Sequence, residues 1–115
     1  MEDIYTINIQ GLLNLKKKIK LIQFLNKYKP KIVFLQESNI DNINDQFLIP
    51  NYRIFYNFAI TKGNGTIIYI RNIYKTTQHS IVVPGRIQRL NVEFFNNDEV
   101  VIYNILIIGE NFISR

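Results

Sequence analysis

Apolar and polar positions change rhythm several times along this chain, and each change marks an element. Asp3 to Ile9 alternates, with Ile4, Tyr5, Ile7 and Ile9 apolar around Thr6 and Asn8. Alternation with period two predicts a strand buried on at least one face. Gln10-Gly11 ends it, because glycine permits a sharp turn. Asn14 then suits a helix N-cap. From Leu15 to Tyr28 the apolar residues Leu15, Ile19, Leu21, Ile22, Phe24, Leu25 and Tyr28 recur at spacings of three and four. That spacing predicts an amphipathic helix, packed through Ile19, Ile22 and Leu25, with Lys17 on the opposite face. Pro30 stops the helix, since proline lacks the N–H donor and disfavours helical geometry before it. Ile32 to Leu35 is then apolar without interruption, too short for a helix and rich in β-branched and aromatic types. It predicts a central strand covered on both faces. Strand, helix and strand with short connections form a βαβ unit with two parallel strands.

The second half has a different texture. Asn39 to Gln46 is polar and predicts a surface loop or a short helical turn. Tyr52 to Phe58 alternates as a strand, and Lys62-Gly63-Asn64-Gly65 is a turn. Thr66 to Arg71 is the next strand. Tyr74 to Val83 is a more exposed one, closed by Pro84-Gly85. Arg86 to Phe95 follows, then a hairpin turn at Asn96-Asn97-Asp98. Val100 to Ile108 is almost continuously apolar and predicts a second central strand. The fold class is therefore α/β: one βαβ unit followed by an antiparallel β meander. There is no internal repeat or linker, and residues 1–115 read as one domain.

Composition narrows the class. A hydrophobic share of 47% over 115 residues suits one globular core. With no cysteine there is no disulfide framework and no zinc–thiolate site. No apolar run approaches the ~20 residues that span a bilayer. The N-terminus lacks the order of a signal peptide, so no membrane partner is expected and the expected setting is intracellular. The net charge of +5 permits a polyanionic partner. Lys16 to Lys20 could touch a nucleic-acid backbone, but such a run is more often the solvated face of a helix. Tyr52, Tyr56 and Tyr69 read as core or strand-face residues. His79 reads as a surface histidine.

Candidate chemistry lies at the ends of the first two strands. The βαβ unit places Asn8 beside the strand that ends in Gln36-Glu37. An amide and a carboxylate there could share one magnesium ion and one phosphate, because magnesium takes hard oxygen ligands, keeps several waters and often uses one or two protein carboxylates. The plainer reading makes Glu37 only the first solvated residue after a buried strand.

Ile7-Asn8-Ile9-Gln10-Gly11-Leu12 resembles the Asn-x-Asn-Gly-Leu opening of the endonuclease/exonuclease/phosphatase family. Pro30-Lys31-Ile32-Val33-Phe34-Leu35-Gln36-Glu37-Ser38 is similar to that family's Pro-Asp-Ile-x-x-Leu-Gln-Glu-Thr segment. Gly65-Thr66-Ile67-Ile68-Tyr69-Ile70 resembles its Gly-Val-Ala-Ile strand, and the segments around Gly85-Arg86 and Val101 to Ile105 its following hairpin. The order and spacing fit the endonuclease domains of non-LTR retrotransposon polyproteins best. The resemblance covers the N-terminal half of that four-layer fold. It implies magnesium-dependent cleavage of a phosphodiester, most naturally in DNA, with manganese as a substitute. It makes Glu37 the metal ligand and Asn8 a catalytic residue at the metal or phosphate.

The departures are informative. Gln10 stands where many members have Asn. Asn104-Ile105 continues into Leu106-Ile107-Ile108 without the family's tyrosine. Gly109-Glu110-Asn111-Phe112 only echoes Gly-Asp-Phe-Asn, and the final Ser-Asp-His is missing. The chain thus reads as an inactive fragment. The alternatives are a nucleic-acid-binding or interaction module that has lost catalysis, or half of a phosphoesterase completed by another chain. A half-fold also implies that Ile32–Leu35 and Val100–Ile108 present an apolar face without a cover.

Overall fold

The computed structural model describes residues 4–45, 47–95 and 97–107. In chain order the elements are β1 (Ile4–Asn8), α1 (Leu15–Tyr28), β2 (Ile32–Gln36), a 3-10 turn (Ile43–Asp45), β3 (Tyr52–Asn57), β4 (Thr66–Arg71), β5 (Lys75–Val83), β6 (Ile87–Glu93) and β7 (Glu99–Ile105). They form two sheets, ordered β1-β2-β4-β3 and β5-β6-β7. The βαβ unit is present, with β1 and β2 parallel and Asn8 opposite Gln36. The remaining strand pairs are antiparallel. The antiparallel portion is divided, however: β3 and β4 extend the first sheet, and β5 to β7 form the second.

α1 begins and ends where its caps dictate. Asn14 Oδ1 accepts the Lys17 N–H at 3.2 Å, and the N–H of Lys29, in a left-handed conformation, reaches Leu25 O. The helix buries Leu21 and Leu25 against Leu12, Val33, Leu35, Ile40 and Tyr69. The expected contact set is therefore shifted: Ile19 is 46% exposed. Lys17 is not on the opposite face either, since it is half-buried and its ammonium donates to Gln10 O.

β2 is covered on both faces, as its unbroken apolar run predicts. Val33 and Leu35 face the helix-side core. Ile32 packs with Ile68, Ile70, Leu90 and Val92 between the two sheets. The expectation that Ile32–Leu35 lacks a cover is thus overturned, because the second sheet already supplies one. β7 departs in the other direction. Among the described residues it is an edge strand, and Val101, Tyr103 and Ile105 on its outward face are exposed. A continuous apolar run does not distinguish a central strand from an edge strand with apolar residues on both sides. β1 is likewise an edge strand, largely exposed along its length. Tyr69 is fully buried and donates its hydroxyl to Phe47 O, while Tyr52 donates to Pro30 O, so both serve the core. Among the described residues no helix is long and apolar enough to cross a membrane.

Candidate active site

β2 leaves the core at Gln36, and the next residues are held from both sides. Ile9 N–H donates to Gln36 O, Gly11 N–H to Glu37 O at 2.7 Å and Leu12 N–H to Ser38 O at 2.8 Å. From the other side, Ser38 N–H donates to Gly65 O and Asn39 N–H to Asn64 O. Between these clamps Glu37 and Asn39 both adopt φ 58°, the left-handed region. For a residue with a Cβ this costs on the order of 1–3 kcal/mol, and it persists only where the surroundings over-determine the backbone. Gly65 makes the approach possible. Its φ is +100°, and a Cβ there would lie 2.6 Å from Ser38 Oγ.

This turn aims the Glu37 carboxylate at the end of β1. Asn8 Nδ2 donates to Glu37 Oε2 at 2.8 Å. The two sequence-predicted site residues are therefore in direct contact at the C-terminal ends of adjacent parallel strands. The bond uses the amide nitrogen of Asn8 and one carboxylate oxygen, so both residues still carry oxygen of the hard type that magnesium prefers. Among the described residues no group of three His, Cys, Asp or Glu could hold a metal. One carboxylate with one amide fits an ion that keeps most of its water and does not fit zinc.

A buried amide network lies directly behind the pair. Gln36 Nε2 donates to Thr6 Oγ1 at 2.8 Å and to Asn104 Oδ1 at 2.9 Å. Asn104 Nδ2, fully buried on β7, lies within 3.0–3.1 Å of Leu35 O, Ile67 O and Gln88 Oε1. This network ties the second sheet to the strand that carries Glu37. Sequence reasoning cites Asn104 only as part of a family pattern. The missed signal is a lone amide inside an apolar strand, which demands partners once buried. The sequence reads Lys17 and Lys20 as solvated, and Lys20 is exposed. With Asn8, Gln10, Leu21 and Phe24 they line a cleft of about 480 Å³ beside β1.

His79 is not an ordinary surface residue. It is half-buried on β5, its Nε2 lies 3.0 Å from Gln88 Nε2 and its ring 5.1 Å from Phe55. Burial pushes its pKa below the ordinary 6.5. It stands over β3, and Gln88 connects it to the Asn104 network. The echo motif Gly109–Phe112 lies outside the described residues.

The chain belongs to the endonuclease/exonuclease/phosphatase family, whose model matches residues 5–110. The fold is also that of solved relatives. The AP endonuclease LMAP from Leishmania major is similar at TM-score 0.69 and 19% identity, over 90% of this chain and 40% of that one. A truncated TDP2 of Caenorhabditis elegans is similar at TM-score 0.68 and 22% identity, over 92% of this chain and 46% of that one. A Danio rerio (D. rerio) TDP2, solved with a single-strand DNA product, is similar at TM-score 0.61 and 23% identity, over 87% and 43%. The chain thus spans less than half the length of these relatives. No protein with a curated description matches it.

Proposed function

We propose that residues 1–115 are the N-terminal half of a magnesium-dependent phosphodiesterase domain, a DNA endonuclease of the non-LTR retrotransposon type, inactive by itself. The observation that carries this reading is the 2.8 Å contact between Asn8 and Glu37 at the ends of parallel strands, in a chain of this family. The retrotransposon subtype rests on the order and spacing of the motifs. DNA as substrate draws support from the D. rerio TDP2, solved with a single-strand DNA product.

Glu37 and Asn8 would hold the magnesium ion, with manganese as a substitute. Once bound, such an ion polarises a phosphodiester and stabilises the charge that develops on it. The protein's own part is positional. The Asn8 amide orients the Glu37 carboxylate, and the Gln36–Asn104 network fixes the strand end that carries it. A general base must lie within hydrogen-bond reach of the attacking water. His79 contacts Gln88 and Phe55 and neither Asn8 nor Glu37, so no histidine is placed for that role among the described residues. Lys17 and Lys20 beside Asn8 favour a second reading, a module that binds nucleic acid without cleaving it.

A plasmid-nicking assay with magnesium or manganese, run beside Glu37→Ala, tests the first reading. The expected result is no nicking by either protein. Metal-dependent nicking abolished by Glu37→Ala would refute inactivity and keep the site. Retarded migration of DNA without nicking would favour the second reading.

A further inference from the structure

Gln88 and Asn104 place two amides in the layer between the sheets, both fully buried. A side-chain amide can sit either way round, and its neighbours decide which. At Asn104 the neighbours Leu35 O and Ile67 O are backbone carbonyls, which only accept, so the side-chain nitrogen must face them. That nitrogen also meets Gln88 at 3.1 Å, where only the Gln88 oxygen can receive it. The Gln88 nitrogen is then turned to Phe55 O at 3.3 Å, a third carbonyl that only accepts, and to His79 Nε2 at 3.0 Å. Both ends of Gln88 thus demand the same orientation. Flipping it would set nitrogen against nitrogen at Asn104 and oxygen against oxygen at Phe55.

The consequence falls on His79. Facing a donor, its Nε2 must accept, so the ring is neutral and its proton sits on Nδ1. Register with Leu90 puts the ring on the inner face of β5, over Phe55. An imidazolium would carry a proton on Nε2 as well and set N–H against N–H. Turning the ring over offers Gln88 a C–H instead, which is no acceptor. Charge does not compensate either. The charged residue of β3 is Arg53, a cation bound to Thr76 Oγ1 and Asn72 O. Arg86, another cation, stands just before β6. On β6, Arg89 and Glu93 alternate with buried Gln88, Leu90 and Val92 and so point to the outer face. There Glu93 lies 3.8 Å from Lys75, and Glu99, its register partner on β7, accepts from Thr77. Among the described residues no carboxylate of β3, β5 or β6 faces the ring.

We infer that His79 is an acid-released latch: as a neutral acceptor it closes β5 onto the buried amide pair, and on taking a proton from solvent its ring leaves the layer between the sheets. The exit is short, since the ring is half-buried and β5 is an edge strand among the described residues. Gln78 to Ile81 pair regularly with β6 between two register shifts, so the part of β5 that carries the ring is bounded by irregular positions. Release stays local. Asn104 keeps its two carbonyls and Gln88 keeps Phe55 O. The Arg53–Thr76 and Asn57–Val83 bonds still tie β5 to β3. Acid therefore uncovers the Phe55 ring and the nitrogen end of Gln88. Burial pushes the His79 pKa below 6.5, the direction this geometry requires, so the latch is closed above 6.5 and opens as pH falls through the lower folded value. The proposal does not rest on the catalytic reading, because His79 contacts neither Asn8 nor Glu37.

His79 is the chain's one histidine, so its ring signals in nuclear magnetic resonance of the nitrogen-labelled protein are unambiguous. Long-range proton–nitrogen spectra at pH 7 should show the Nδ1–H tautomer. On acid titration the His79 ring and the Gln88 side-chain amide should shift with one midpoint below 6.5. The proton–proton cross-relaxation between His79 and Phe55 should be lost with that same midpoint, while the Asn104 side-chain amide stays in place. In His79→Phe, whose folding circular dichroism confirms, the Gln88 signals should be constant over that range. An Nε2–H tautomer at pH 7 would overturn the proposal, as would a protonated ring that keeps its contact with Phe55. Gln88 signals that titrate equally in His79→Phe would also overturn it, since the transition then belongs to another group. Global unfolding at the His79 midpoint would overturn the local release.

Discussion

Asn104→Ala should destabilise the protein more than any other single polar substitution on β7. The Asn104 side chain is 1% exposed and joins the two sheets. Its Nδ2 faces three oxygens at 3.0–3.1 Å, and its Oδ1 accepts from Gln36 at 2.9 Å. A net hydrogen bond contributes about 1 kcal/mol, and a buried partner left unsatisfied costs about 1–3 kcal/mol. Gln88 Oε1 is the partner most exposed to that penalty, because Gln88 is itself fully buried. Truncation also removes packing volume. The sum is about 3–5 kcal/mol, against a total stability of about 5–15 kcal/mol for an ordinary domain. Asn104→Asp should be worse than Asn104→Ala despite its closer shape, because it sets a carboxylate against three oxygens. Urea and thermal denaturation followed by circular dichroism, at one fixed protein concentration, measure both. A loss below about 0.5 kcal/mol for Asn104→Ala would refute the view that this network holds the sheets together.

Other expectations follow from burial and charge. Leu21→Asp places an unpaired carboxylate in the helix–sheet core and should cost several kcal/mol. Leu15→Asp, at a 70% exposed position in the first helical turn, should be neutral or slightly stabilising, and equal effects in urea would overturn the helix orientation. His79 has a folded pKa below its unfolded value of 6.5, so the unfolded chain binds the proton first. The stability it contributes is present above pH 6.5 and is lost as pH falls through the folded pKa. Urea midpoints from pH 7 to 5 should fall less for His79→Leu than for the parent, and identical slopes would contradict this. Tyr69 is raised by burial, so stability should fall as pH climbs above its ordinary value of 10, and Tyr69→Phe should blunt that fall.

The elements most legible in the sequence are those whose signals are local. α1 is bounded by Asn14 and Pro30, and β4 by Gly65, so both are readable residue by residue. The Asn8–Glu37 contact follows from two short connections and one parallel pairing. What was not legible depends on long-range placement. The run Val100–Ile108 reads as central, yet among the described residues β7 has one neighbour. Which lysine leans on the end of β1 depends on helix rotation, and Lys17 differs from Lys16 only by that angle. The Gln36–Asn104 bond joins residues 68 positions apart, and no local pattern announces it. The split of the antiparallel strands into two sheets hides Ile32 and Phe34, which the sequence alone leaves without a cover.

The central claim is that Glu37 and Asn8 form one divalent-cation site at the ends of β1 and β2. Titration of the isotopically labelled protein with magnesium, followed by amide chemical shifts, tests it most directly. The account predicts saturable shifts confined to residues near Asn8, Gln10, Glu37 and Asn39, with a Kd in roughly the millimolar range expected of a site with few charged ligands. Glu37→Ala should abolish those shifts while leaving the thermal transition in place. Shifts that persist in Glu37→Ala, or that cluster away from the ends of β1 and β2, would contradict it.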